Sequence, residues 1–117
     1  NLLLNACQAS SAGGRVTVSV HIEDGPAGPA RTARIEVRDD GHGIPADNLA
    51  RVFEPFFTTK PHGTGLGMPL SRDVVERHGG RITLESAVGV GTCVTIRLPR
   101  VELGKVAEAD DIDSGRR

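Results

Sequence analysis

The stretch Ala33-Arg34-Ile35-Glu36-Val37-Arg38-Asp39-Asp40-Gly41-His42-Gly43-Ile44-Pro45 decides the fold. Ala33, Ile35 and Val37 alternate with charged residues, the period-two pattern of a strand with one apolar face. Counting on by twos puts Asp39 on that same face, where a bare carboxylate would be strongly unfavourable without donors. Two roles fit it. It caps the following turn by accepting from backbone N–H groups, or it accepts from a ligand. Gly41 and Gly43 favour the second role, because glycines let backbone approach a flat ligand closely. An amino group on a purine is a suitable donor for such a slot.

Toward the N-terminus, Val16, Val18, Val20 and Ile22 alternate in the same way. We therefore expect an antiparallel partner strand with one face buried, joined across the polar, Pro/Gly-rich connection 23–33. Residues 1–12 (NLLLNACQASSA) have helical composition and are stopped by Gly13-Gly14. Leu2, Leu3, Leu4, Ala6, Cys7 and Ala9 wrap most of that helix, while Asn1, Asn5 and Gln8 fall on one stripe at i, i+4 and i+7. The expectation is a helix buried on most sides with a carboxamide seam. Asn5 suits Mg²⁺, which prefers oxygen donors, or else hydrogen-bonds to backbone. Because the chain opens at Asn1 inside this helical pattern, we expect it to be a piece of something longer.

Toward the C-terminus, residues 46–52 form a short helical turn, followed by Phe53-Glu54-Pro55-Phe56-Phe57-Thr58-Thr59-Lys60 and then Gly63-Thr64-Gly65-Leu66-Gly67. A helix is expected over 68–78, with Pro69 in its first turn and Gly79-Gly80 as its stop. A glycine loop running into a helix presents backbone N–H groups and a partial positive charge, which suits a phosphate, although a plain turn has the same composition. It matches neither the P-loop, since no Gly-Lys-Ser/Thr follows, nor the dinucleotide fingerprint, since no βαβ unit surrounds it. Strands 81–86 and 92–98 complete the pattern, with Ile82, Leu84, Val94, Ile96 and Leu98 inward. Pro99 ends it, and 101–117 reads as a charged tail or linker. The sum is an α+β sandwich with helices on one face of a mixed, mainly antiparallel sheet, in a single domain over residues 1–100.

Composition narrows the function. The 117 residues hold three aromatics, Phe53, Phe56 and Phe57, and no Trp or Tyr, so the core is aliphatic and an aromatic-stacking nucleic-acid binder is disfavoured. A net charge of −1 gives no field to recruit nucleic acid or an anionic membrane. Cys7 and Cys93 lack metal-ligand spacing and are expected as small core residues in a reducing compartment. No apolar run approaches the roughly 20 residues of a membrane span, so a soluble domain is expected.

Four of these stretches, in order and spacing, resemble the N box, first glycine box, F box and second glycine box of two-component sensor histidine kinases. They are Asn1-Leu-Leu-Leu-Asn5-Ala, Asp39-Asp-Gly41-His-Gly43-Ile44, Phe53-Glu-Pro-Phe56-Phe57-Thr-Thr-Lys60 and Gly63-Thr-Gly65-Leu-Gly67. The resemblance covers nearly all of residues 1–100 and implies the Bergerat ATP-binding fold shared with gyrase, heat-shock chaperone and mismatch-repair ATPases. It implies that Asp39 accepts from the adenine amino group and Asn5, with Asn1 nearby, ligates Mg²⁺ on the phosphates. Gly41, Gly43 and Ile44 would shape the base pocket. Gly63, Thr64, Gly65, Leu66 and Gly67 would cradle the phosphates, Lys60 would approach them, and Thr92 would line the adenine pocket.

The resemblance implies further that ATP and Mg²⁺ are the cofactors, and that the partners are a histidine-containing dimerisation domain and a response-regulator receiver domain. It implies a bacterial parent, either free in the cytoplasm or anchored in the inner membrane. The phosphoacceptor histidine would lie in a separate domain, since none of His21, His42, His62 and His78 has its context. Only Pro61-His62 separate Lys60 from Gly63, which resembles the short lid of the nitrogen-regulation-like branch. Two departures stand out: Gln8 where many members carry Lys, and Met68-Pro69 where Leu and a small residue are usual. The rival readings are a same-fold ATPase that hydrolyses ATP and a non-catalytic nucleotide-sensing module.

Overall fold

The computed structural model describes residues 1–10, 13–24, 31–59 and 63–101, with the backbone alone for 100 and 101. Lys60, the middle of the 23–33 connection and the charged tail lie outside the described residues. Four strands, β1 (Val16–Asp24), β2 (Arg31–Asp39), β3 (Arg81–Ala87) and β4 (Gly91–Val101), form one sheet in the order β1-β2-β4-β3. Every pairing among them is antiparallel. Three helices complete the fold: α1 (Leu2–Ala9), the single turn α2 (Ala46–Leu49) and α3 (Gly67–Arg77).

The period-two patterns of the four strands project onto one face because the register lines them up. Val20, Ile35, Ile96 and Ile82 form one cross-strand row, and Val18, Val37, Val94 and Leu84 the next. A third row, Val16, Asp39, Thr92 and Ser86, places three polar side chains side by side at one end of the apolar face. Helix α1 packs on β2 and α3 on β3. Val75 of α3 meets Ile82 and Val94 in the core, with Leu2, Phe53, Met68, Leu84, Ile96 and Leu98 packed around them. Each such aliphatic side chain taken fully from water contributes about 1.5–3 kcal/mol.

Several sequence expectations are corrected. Helix α1 ends at Ala9 rather than near residue 12, and the carbonyl of Ala9 accepts a hydrogen bond from the His42 N–H at 3.2 Å. That helix end is therefore occupied by the 39–45 loop. Nor is α1 buried on most sides. Ala6 is its one buried residue, whereas Leu3, Leu4 and Cys7 are exposed, because α1 packs mainly on β2 and only lightly on α3 and β1.

The apolar residues of β1 share the inner face by register, yet Val18, Val20 (62% exposed) and Ile22 remain exposed. The helices lie over β2 and β3 and leave that end of the face uncovered among the described residues. Cys93 is half-buried on the opposite, polar face, in register between Arg38 and Glu85, so neither cysteine belongs to the core. Finally, β4 runs past Pro99 to Val101. It gains one extra residue against β2 between Leu98 and Val101, and that register shift accommodates a proline that cannot donate to the ladder.

Candidate functional site

A cavity of about 740 Å³ opens between α1, the inner face of the sheet and the segments carrying the phenylalanines and the glycine loop. Its size suits a small-molecule ligand. Val37, Leu84 and Val94 supply an apolar floor, and Asn1, Asn5 and Gln8 a polar wall, so the carboxamide stripe of α1 does face one space. Asp39 and Thr92 line one part of it, and Phe57, Thr58, Thr59, Gly63, Thr64, Gly65 and Gly67 another. Asp39 is the only carboxylate among the described lining residues.

Asp39 is 7% exposed and uses one oxygen locally: Oδ1 accepts from the Gly41 N–H at 2.9 Å. The turn-capping role is therefore real, but it occupies half of the carboxylate. Oδ2 makes no hydrogen bond among the described residues, and the residue lines the cavity. Asp40 turns the other way, its carboxylate accepting from the Arg15 N–H at 2.8 Å.

The glycines beside Asp39 also meet the protein's own backbone. A Cβ on Gly41 would strike the end of α1, 2.6 Å from the carbonyl carbon of Ala9. One on Gly43, whose φ is +76°, would lie 2.6 Å from the carbonyl carbon of Ala87 and 2.9 Å from Cα of Val88. The close approach that these glycines permit is made by the protein's own backbone, which pins the loop to α1 and to the β3–β4 turn. The Gly89 N–H completes this junction by donating to the His42 carbonyl at 2.9 Å. Gly43 and Ile44 line the cavity; Gly41 does not.

Across the cavity, the Phe56 N–H donates to the Gly65 carbonyl at 2.9 Å, joining the phenylalanine segment to the glycine loop. Phe56 has φ +70°, rare for a bulky residue, and is 75% exposed. Its neighbours are held: Phe53 packs on the core under the Arg72 guanidinium, and Phe57 lines the cavity under that of Arg51. Gly63, Gly65 and Gly67 all line the cavity. The Thr64 hydroxyl accepts from the Leu66 N–H at 3.3 Å and stabilises the turn, whereas Leu66 stays off the cavity wall. Helix α3 begins at Gly67 without a side-chain cap, so the oriented N–H groups of its first turn suit an anion.

Among the described residues no group of three His, Cys, Asp or Glu side chains is placed to hold a metal. A cation here would have to arrive with its anionic ligand and take neutral oxygens from the protein. The carboxamides of Asn1, Asn5 and Gln8 supply that kind of donor, and this fits Mg²⁺ shared with phosphate oxygens.

A cavity with a single carboxylate among its described lining residues, beside a threonine, and a glycine loop leading into a helix elsewhere on its rim, coincides with the sequence's family match. Residues 1–102 match the family described as histidine kinase-, DNA gyrase B- and HSP90-like ATPase. The chain belongs to this family. It is 44% identical over 99 residues to the sensor histidine kinase ZraS of Escherichia coli (strain K12), which covers 85% of this chain but 20% of ZraS. The fold superposes on the mycobacterial sensor histidine kinase MprB with a TM-score of 0.67 and 37% identity, covering 81% of this chain and 62% of that one. Full-length ShkA in complex with AMPPNP gives a TM-score of 0.70 and 27% identity over 83% of this chain and 19% of that one. The chain thus spans about a fifth of the length of the curated relative ZraS.

In this ATPase-family chain, most of the residues singled out from sequence meet at one cavity. Sequence reasoning missed its floor and rim, Val37, Val52, Leu84, Val94 and Phe57 to Thr59. It also missed Ser86, whose hydroxyl sits behind Thr92. Two residues on from Leu84, Ser86 falls on the inner face, and a polar residue on that face is the signal that could have found it.

Proposed function

We propose that this chain is the ATP-binding catalytic domain of a sensor histidine kinase, and that it presents Mg²⁺-bound ATP for transfer of the γ-phosphoryl group to a histidine on a separate domain. The observation that carries this reading is the convergence of Asp39 and Thr92, the α1 carboxamides and the Gly63–Gly67 loop on one cavity. Asp39 Oδ2 accepts from the adenine amino group, with Thr92 beside it. The backbone N–H groups of Gly63, Gly65 and Gly67, together with the first turn of α3, hold the phosphates, and Lys60 is proposed to approach them. Asn5 is the protein's oxygen ligand to the cation, which when bound neutralises charge on the phosphates. Phosphoryl transfer asks a protein mainly for positioning and charge stabilisation, and both are within the means of these groups.

The relatives named as sensor histidine kinases, and the AMPPNP bound by ShkA, support this reading. The partners proposed with it are the histidine-bearing dimerisation domain and a response-regulator receiver domain, in the cytoplasm. No described helix is long and apolar enough to cross a membrane.

Incubating the full-length protein with γ-labelled ATP tests the reading. Acid-labile, base-stable phosphohistidine is expected, whereas label released only as free phosphate would place the protein with the hydrolases of the same fold. Asn5→Ala is expected to weaken Mg²⁺-dependent ATP binding about tenfold, the scale of one lost charge-assisted contact, and to leave metal-free binding nearly unchanged. A magnesium titration that superposes on the wild type would remove Asn5 from the site.

A further inference from the structure

Behind the base end of the cavity lies a small hydrogen-bond hub. Ser86 Oγ accepts from the Ile44 N–H at 2.8 Å, lies 3.0 Å from the Gly91 carbonyl oxygen and 2.8 Å from Thr92 Oγ1. A hydroxyl has one proton. The Gly91 carbonyl can only accept, so that bond takes the proton of Ser86. The Ser86–Thr92 contact then requires Thr92 to be its donor. This is the one arrangement that satisfies all three contacts, and it spends the Thr92 proton on Ser86, away from the cavity that Thr92 lines.

We infer that Ser86 is a positioning residue that fixes Thr92 as a hydrogen-bond acceptor and so sets the purine preference of the site. The inference rests on the nucleotide reading above. With the Thr92 proton committed, a ligand at this end meets lone pairs at Thr92 Oγ1 and at Asp39 Oδ2, and no side-chain hydroxyl proton. A 6-amino purine brings N–H donors to that pair of acceptors. A 6-oxo purine puts an acceptor oxygen in place of the amino group and keeps a single N–H on that edge, at N1, so an acceptor that met the amino group faces another acceptor on desolvation, and a site built this way rejects the mismatched ligand more strongly than it rewards the matched one. Thr92 is 9% exposed, so little water is at hand to repair a mismatch. Ser86 acts without touching the ligand: it is absent from the cavity lining and its hydroxyl is satisfied within the protein.

The test compares affinities of the full chain for Mg²⁺-ATP and Mg²⁺-ITP, the 6-oxo counterpart, by competition against a fluorescent nucleotide. In Ser86→Ala the Thr92 hydroxyl loses its acceptor and is free to donate toward the cavity. The preference for ATP over ITP is expected to fall about fivefold to tenfold, the scale of one misdirected hydrogen bond, through weaker ATP and stronger ITP binding. Ser86→Thr keeps the hydroxyl and is expected to keep the preference. Thr92→Val removes the acceptor while leaving the Ser86–Gly91 bond, and is expected to lower the ratio even if Ser86→Ala does not fold. Equal weakening of both nucleotides in Ser86→Ala, or an unchanged ratio in Thr92→Val, would overturn the inference and leave the nucleotide reading standing. A wild-type protein that binds neither nucleotide would overturn the reading itself.

Discussion

Asp39→Asn is expected to weaken ATP binding by about a hundredfold or more while the protein stays folded. The direction follows from the divided carboxylate. Oδ1 accepts from the Gly41 N–H, so an asparagine at this position must turn its carbonyl oxygen toward Gly41 and its NH₂ toward the cavity. A donor then stands where the adenine amino group also brings a donor, at a position only 7% exposed. Because the turn keeps its hydrogen bond, thermal unfolding should move little. Competition binding with a fluorescent adenine nucleotide measures the first effect and circular dichroism the second. Undiminished affinity in a folded variant would remove Asp39 from the base pocket.

Gly43→Ala is expected to cost about 3 kcal/mol or more of stability, since it combines a left-handed φ with a collision against backbone. The colliding atoms belong to Ala87 and Val88, at the start of the β3–β4 turn, and cannot swing aside as a side chain tip could. For a domain of this size the melting temperature should fall by about 10 °C or more. Gly89→Ala is the internal control. Gly89 has φ +81° but nothing within 4 Å of its Cβ position, so that variant should pay only the conformational cost of about 1 kcal/mol. Equal losses in the two variants would show that the conformation, and not the junction with Ala87, makes glycine necessary at position 43.

Much of this was legible in the sequence because the signals were periodic or chemically extreme. Alternation in 16–22, 33–39, 81–86 and 92–98 gave four strands and their inward faces, since a one-residue slip would turn every valine to water. Asp39 on an apolar face was an anomaly large enough to point at the site. Periodicity says which residues share a face but not what covers it, and so Val20 and Ile22 were expected to be buried and are exposed. Helical composition likewise does not report packing partners, so Leu3, Leu4 and Cys7 were assigned to a core that α1 does not reach with them. The glycines of the first box were read as room for a ligand. Only the three-dimensional junction with Ala9 and Ala87 shows that they also make room for the chain itself. The period of strand 81–86 puts Ser86 on the inner face, but nothing in the sequence pairs it with Ile44, 42 residues away.

The hydrogen bond between Phe56 and Gly65 has a consequence for how such proteins diversify. It closes a neck, with both flanks anchored independently: Phe53 in the core before it and α3 immediately after it. Whatever lies between Phe56 and Gly65 therefore starts and ends at one point. In general, lengthening a loop whose ends are already held together costs only about 0.6 kcal/mol per doubling. Insertions between those two residues are expected to leave the register of the sheet and the cavity floor of Val37, Leu84 and Val94 untouched. The two left-handed residues at the neck, Phe56 and Gly65, mark the seam at which one part of the gene is free to change and its surroundings are not.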